Sequence, residues 1–181
     1  VGWTSDEGPP AIQGRADGEA AAGPLLKLVA KASAMNAKAI IIGCFDDTAL
    51  ADAQAAATCP VIGIGQAAYH MAALVGRRFS VVTTLEVSTP ILEENIEAYG
   101  LSHHLAKVRA SDVPVLDLEH DPEAAVEKVV QEILAAERED DVGSIVLGCG
   151  GMVGVATSAA ERSKVRLIDG VRSAAHVASS L

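Results

Sequence analysis

An apolar strand closing in Gly-Cys occurs twice in this chain. Lys38-Ala39-Ile40-Ile41-Ile42-Gly43-Cys44 is the first copy, and Ser144-Ile145-Val146-Leu147-Gly148-Cys149 is the second. After Cys44 an Ala-rich stretch and the run Val61-Ile62-Gly63-Ile64 lead to Gly65, 21 residues on. After Cys149 an Ala-rich stretch and Arg166-Leu167-Ile168-Asp169 lead to Gly170, also 21 residues on. Upstream, Asp17 opens a helical pattern 27 residues before Cys44, and Asp121 opens one 28 residues before Cys149. Self-similarity that needs almost no gap constrains the fold more than composition does. The chain reads as two copies of one unit.

Within each unit, short apolar runs alternate with longer amphipathic stretches, the pattern of an α/β protein. Strands are expected near Lys38–Gly43, Val61–Ile64, Phe79–Thr83, Val113–Leu118, Ser144–Gly148 and Arg166–Asp169. A helix is expected from Thr89 to Tyr99, with Thr89 as its cap, Pro90 at its first helical position and Gly100 at its end. A second is expected after Asp121-Pro122-Glu123, running to about Glu137. With half of its residues hydrophobic but only five aromatic, the core has to be built from Ala, Val, Ile and Leu.

Charge narrows the partners. Acidic residues outnumber basic ones 24 to 14, giving a formal charge of -10 that repels phosphate backbones and anionic membranes. Neither nucleic acid nor a membrane is an expected partner. No apolar run reaches the length of a bilayer span and no basic-then-apolar leader opens the chain, so a cytoplasmic protein is expected. Three widely spaced cysteines, an odd number, do not make a disulfide framework, so each is expected to be a free thiol.

Two of those thiols stand at equivalent strand ends. In open parallel sheets, ligands bind outside the carboxyl ends of the strands, which places Cys44 and Cys149 in a cleft. Each is followed by a helical pattern, and a helix N-terminus favours thiolate over thiol, so both sulfurs are expected to be poised as bases. If the two units face each other, one sulfur approaches the cleft from each side. Moving a proton off one face of a carbon and onto the other needs that arrangement, one base and one acid, with roles exchanged for the other enantiomer. Racemisation is the chemistry it suits. Cys59 matches Lys164 in the repeat and precedes Pro60 at the entry to a strand; it reads as a small buried hydrophobe without a role. Asp46 and Asp47 read as helix caps. The five histidines lack a ligand spacing, and no metal site is expected.

The chain resembles the hydantoin racemases, within the cofactor-independent aspartate/glutamate/hydantoin racemase superfamily. The resemblance rests on Gly43-Cys44-Phe45-Asp46-Asp47, Pro60-Val61-Ile62-Gly63-Ile64-Gly65, Arg78-Phe79-Ser80-Val81-Val82-Thr83-Thr84-Leu85, Leu147-Gly148-Cys149-Gly150-Gly151-Met152 and Ile168-Asp169-Gly170-Val171, in order along nearly the whole chain. It implies that Cys44 and Cys149 are the catalytic acid and base, that Thr83 and Thr84 line the substrate pocket, and that Phe45, Gly150 and Gly151 adjoin it. The fold it implies is two similar lobes with mainly parallel sheets flanked by helices. They are related by a pseudo-twofold axis, with the active site in the interlobe cleft. Residues 1–77 would form the first lobe, with a helix over 170–181 packing back on it, and residues 78–169 the second.

One departure is visible. The family opens with a strand carrying an Asn-Pro-Asn-Thr type motif, and this chain has none. The repeat locates the same gap: the strand at Phe79 lies 70 residues before Cys149, whereas only 43 residues precede Cys44. A strand corresponding to Phe79–Thr83 is expected to be missing from the first lobe.

The implied chemistry suits a hydantoin. Its C5 hydrogen is more acidic than the α-hydrogen of a free amino acid, because the ring carbonyl delocalises the carbanion and the nitrogen is acylated. A thiolate then suffices without pyridoxal phosphate or any other cofactor. N–H groups at Gly150 and Gly151 are candidates to hold the enolate oxygen, and the hydroxyls of Thr83 and Thr84 to donate to ring carbonyls. The expected partner is therefore a small hydantoin-like ring; allantoin, a related ureide, and acidic amino acids are the rival substrates, and homo-oligomerisation stays open. A free carboxylate fits poorly beside Phe45 and Gly150. Related decarboxylases keep one cysteine, and two argue against them. Gly148-Cys149-Gly150-Gly151 loosely mimics a dinucleotide fingerprint, but Val153 stands where its third glycine belongs. A small-molecule binding protein without catalysis is the non-enzyme alternative.

Overall fold

The short β-branched runs become parallel strands, and the Ala-rich stretches become the helices between them. The computed structural model describes residues 1–181. In chain order it contains α1 (Arg15–Ala34), β1 (Ile40–Ile42), α2 (Leu50–Ala56), β2 (Val61–Gly63), α3 (Ile64–Val75), β3 (Phe79–Thr83), α4 (Thr89–Ala98) and β4 (Leu105–Ala110). It continues with α5 (Asp117–His120), α6 (Pro122–Glu139), β5 (Ser144–Gly148), α7 (Val153–Ala160), β6 (Arg166–Asp169) and α8 (Gly170–Ser179). The fold is α/β, with helices flanking parallel sheets, as the alternation predicts. No helix is long and apolar enough to cross a membrane.

Two sheets form. β1 and β2 pair in parallel, Ile40 beside Val61 and Ile42 beside Gly63. The second sheet has the order β4-β3-β5-β6, again all parallel. The equivalent strands of the repeat, β1 with β2 and β5 with β6, are neighbours in both sheets. β1 carries one neighbour, whereas its counterpart β5 lies between β3 and β6.

Side chains alternate across the larger sheet, as strand geometry dictates. Val81 and Val146 face one core with Tyr69 of α3, Leu92 and Ile96 of α4, and Ala174 of α8. Val82, Ile145 and Leu147 face another, under Val129, Val130 and Ile133 of α6 and Val155 of α7. A smaller core joins Val29 of α1 to Leu50 and Ala53 of α2 over Ile42 and Val61. Burying each such Val, Leu or Ile side chain stabilises the fold by about 1.5–3 kcal/mol.

Two equivalent glycines let the units approach. α3 and α8, which follow equivalent strands, pack against each other. A Cβ on Gly170 would lie 2.8 Å from the Ile64 carbonyl oxygen and 2.9 Å from the Phe45 ring; one on Gly65 would lie 2.5 Å from the Phe45 carbonyl oxygen. No side chain fits at either position.

Two sequence expectations are corrected. The fourth strand runs over Leu105–Ala110, not Val113–Leu118. Pro114 lacks an N–H, and the expected segment only extends the ladder briefly, Ser111 N–H bonding the Thr83 carbonyl and Val113 N–H the Thr84 carbonyl, before turning into α5. The true strand was hidden by its cations. Arg109 is 8% exposed and bonds Asp140, Glu139 at 2.7 Å and Glu132 at 2.9 Å, clamping this edge strand to the end of α6. Secondly, Thr89 is the first residue of α4 and Ser88 its cap, because a turn of 3-10 helix over Glu86–Ser88 leads in. The helix after Asp121 starts as its Asp-Pro pattern predicts, with the Asp121 carboxylate accepting the Ala124 N–H.

Candidate active site

Cys44 lies two residues beyond the end of β1, and Cys149 directly beyond the end of β5. Both line one cavity of about 390 Å³, together with Phe45, Thr83, Thr84, Gly150 and Gly151. Every residue singled out from the sequence as a site candidate borders this space. A Cβ on Gly150 would lie 3.0 Å from the Gly43 carbonyl, so the backbones carrying the two cysteines come close here.

Their surroundings differ. After Cys44 the chain makes a turn, with Asp47 and Ala49 at positive φ, before α2 begins at Leu50. This turn aims donors at the sulfur: the Thr48 hydroxyl at 3.2 Å and the N–H groups of Asp46 and Thr48. After Cys149 a turn of 3-10 helix, Gly150–Met152, leads directly into α7, and the Gly151 N–H points at the sulfur. That N–H serves the thiol rather than standing free for an enolate oxygen.

The expectation of poised thiolates is overturned. Burial pushes the Cys44 thiol up to about 11, and the Asp46 charge adds to this against the pull of the three donors. Burial raises Cys149 as well, with the Gly151 N–H opposing and the Asp46 charge assisting. Desolvation of an anion outweighs a few well-aimed donors. In the free protein both sulfurs are thiols at neutral pH.

The remaining candidates have mixed availability. Thr83 donates its hydroxyl to the Gly148 carbonyl at 2.9 Å, tying β3 to the approach to Cys149. Its proton is committed, which leaves Thr84 as the threonine whose hydroxyl can turn toward a ligand. Phe45 borders the cavity, but the residue is only 4% exposed and its ring stands edge-on to Tyr69, with centroids 5.5 Å apart.

The two aspartates split their roles. Asp47 is a cap, but of α3 rather than of the following helix: its carboxylate accepts from Gly65 N–H at 3.0 Å and Gln66 N–H at 2.6 Å, and from the Tyr99 hydroxyl at 2.8 Å. Burial holds it up at about 6 against those donors. Asp46 caps nothing. It lines the cavity, one of its carboxylate oxygens is sealed from solvent without a hydrogen-bond partner, and burial pushes it up to about 6.

Sequence reasoning also missed the segment before α1. Thr4, Pro9, Pro10, Ala11 and Ile12 line the cavity, and the Gln13 side chain accepts the Val115 N–H at 2.9 Å. No periodicity marks these residues; only the Pro-Pro pair hints at a rigid extended strap. A larger cavity of about 430 Å³ lies along the edge of β1, among Trp3, Leu25, Met35 and Ile41. Lys38 is its only ionisable side chain, so it offers no acid and base pair. No group of three His, Cys, Asp or Glu side chains converges as a metal ion requires.

A parallel α/β frame with a thiol at the carboxyl end of one strand in each sheet, both on one cavity, defines a class of small-molecule site. The chain belongs to the Asp/Glu/hydantoin racemase family, whose model matches residues 1–178. It is 42% identical over 173 residues to a hydantoin racemase from Rhizobium meliloti, covering 96% of this chain and 72% of that protein. A hydantoin racemase from Pseudomonas sp. (strain NS671) is 34% identical over 164 residues, covering 91% of this chain and 66% of that one. Among solved structures, the allantoin racemase from Klebsiella pneumoniae superposes with a TM-score of 0.94 at 40% identity, over 98% of this chain and 72% of that chain. A glutamate racemase from Bacillus anthracis, at 22% identity and a TM-score of 0.72 over 94% of this chain and 67% of that chain, shares the fold. The chain thus spans about two thirds to three quarters of the length of such relatives.

Proposed function

We propose that this chain carries the site of a cytoplasmic, cofactor-independent racemase of neutral cyclic ureides, 5-substituted hydantoins or allantoin, working by proton removal and return at C5. The observation that carries this reading is the pairing of Cys44 and Cys149 on one cavity whose lining holds Asp46 but no Lys, Arg or His. A free amino acid brings a carboxylate, which a pocket containing an anion and no cation disfavours. A neutral ring brings none.

In the proposed cycle one thiolate takes the C5 proton from one face, the carbanion delocalises into the ring carbonyl as an enolate, and the opposite thiol returns a proton to the other face. The sulfur that gave its proton becomes the next thiolate, so the two roles alternate with the enantiomer. Hydrogen bonds from Thr48 and from the N–H groups of Asp46, Thr48 and Gly151 stabilise whichever sulfur is charged. The Thr84 hydroxyl is assigned to a ring carbonyl. Burial keeps the thiolate a minor species in the free protein, and displacement of water by the ring leaves those donors with no competitor.

The hydantoin racemase relatives favour a 5-substituted hydantoin and the allantoin racemase structure favours allantoin. The test is loss of optical rotation from enantiopure hydantoins and allantoin, with L-glutamate and L-aspartate as controls. Decay for a cyclic ureide alone is expected. Racemisation of only the free amino acids would overturn the substrate class, and binding without racemisation would leave a binding protein.

A further inference from the structure

We propose that the Asp46 carboxylate is the acceptor for the substrate N–H beside the reacting carbon, which makes the site select closed ureide rings over their ring-opened carboxylates. This rests on the racemase reading above and assigns that site its specificity residue.

Three observations carry it. Asp46 lines the cavity that holds both cysteines, two residues along the turn from Cys44, and is close enough to both sulfurs for its charge to act on them. One of its oxygens is sealed in the protein with no donor, so the acceptor a ligand can reach is the other, which is open and takes no hydrogen bond from the protein. Its neighbour Asp47, by contrast, accepts three hydrogen bonds, so the absence of donors at Asp46 is specific to that residue. A half-buried carboxylate that no protein group donates to is costly, and a ligand N–H supplies what is missing. Burial pushes Asp46 up to about 6, which leaves it ionised and accepting at neutral pH.

The ligand chemistry follows. Carbon C5 of a hydantoin is bonded to N1 and to the C4 carbonyl. With C5 between the sulfurs, N1–H is the ring donor adjacent to the reacting carbon, and Asp46 accepts it in a charge-assisted hydrogen bond. Opening the ring keeps an N–H but creates a carboxylate, which Asp46 repels in a pocket lacking a cation. The site would thus pass over the ring-opened N-carbamoyl amino acid that hydrolysis of its own substrate produces.

Calorimetric titration with achiral rings tests this apart from turnover. The probes are hydantoin, 1-methylhydantoin, 3-methylhydantoin and N-carbamoylglycine, titrated into the wild type, Asp46→Asn and Asp46→Ala. In the wild type, methylation at N1 is expected to weaken binding about tenfold relative to hydantoin, the amount a hydrogen bond to a charged group supplies. That penalty should shrink to about threefold or less in both variants, since both lose the charged acceptor. N-carbamoylglycine should bind Asp46→Asn about tenfold more tightly than it binds the wild type. Relief of the methyl penalty in Asp46→Ala alone reports extra room and overturns the proposal. So does an equal penalty in all three proteins, or a wild type that binds none of the rings. If Asp46→Ala does not fold, the isosteric Asp46→Asn and the wild-type series decide. Racemisation is scored separately on chiral substrates: a wild type that binds rings in this pattern but racemises none of them overturns the enzyme and leaves Asp46 its ligand.

Discussion

The Thr48 hydroxyl donates to the sulfur of Cys44 across 3.2 Å, and it is the one side chain that opposes the burial of that thiol. Because a thiolate gains more from this donor than a thiol does, removing it should push Cys44 above its already raised value of about 11. Thr48→Val keeps the shape and deletes the donor. Its kcat/KM at pH 7 is expected to fall about tenfold, the weight of one charge-assisted hydrogen bond. The activity of the wild type should itself climb with pH through the alkaline range, since the thiolate is the minor form. A pH profile of kcat/KM for both proteins checks this, and a flat alkaline limb in the wild type would contradict the thiol assignment.

Asp46 predicts an unusual stability profile. Its folded value is raised from the ordinary 3.8 to about 6, so the folded chain holds this proton more tightly than the unfolded chain. The associated stability is whole below about pH 4, is lost as pH rises toward 6, and is gone above it. The loss is about 3 kcal/mol. Asp46→Asn carries no charge to desolvate and should therefore unfold at a higher temperature than the wild type at pH 7.5, with the advantage vanishing near pH 4. Calorimetry at the two pH values measures it. A variant that gains stability while losing ligand selectivity would mark Asp46 as retained for binding.

Asp47 ties the turn after Cys44 to two helices at once. Asp47→Ala should strand the N–H groups of Gly65 and Gln66 and the Tyr99 hydroxyl, costing about 2–3 kcal/mol, whereas Tyr99→Phe removes one bond and should cost about 1 kcal/mol. Urea denaturation of the two variants distinguishes them. Equal losses would mean that the helix cap contributes little.

Much of this could be read from the residues. The repeat placed Cys44 and Cys149 at strand ends because strand, turn and helix leave short continuous apolar runs, glycines and Ala-rich stretches, all of which are local signals. What it hid was non-local. Leu105–Ala110 carries Lys107 and Arg109, so it does not look like a strand; only the carboxylates of α6, some thirty residues away, make a buried arginine acceptable there. Asp47 was legible as a cap but not as the cap of α3, since that depends on a turn folding back 18 residues.

The thiols show a second kind of limit. Motif reasoning weighs the donors at a helix N-terminus, and the sequence displays them. It does not display desolvation, which depends on how Thr4, Pro9, Pro10, Ala11, Ile12, Val115 and the two glycine turns enclose the cavity that holds the sulfurs, and here desolvation wins. The electrostatic reading of a lone Gly-Cys pair is therefore incomplete until burial is known.

The final prediction separates two bases from one. If each thiol serves one face of C5, Cys44→Ala or Cys149→Ala should abolish racemisation, because every turnover needs a proton removed on one side and delivered on the other. Neither variant need be inert. With one base left, each should still exchange C5–H for deuterium in a single enantiomer, returning it to the same face with retention. The two variants should prefer opposite enantiomers. Incubation of each with separate D- and L-hydantoins in deuterated water, followed by NMR of the C5 proton against the spontaneous exchange of the ring, reads this directly. Substantial racemisation surviving in either variant would sink the two-thiol cycle, and exchange of the same enantiomer by both would assign the two sulfurs to one face.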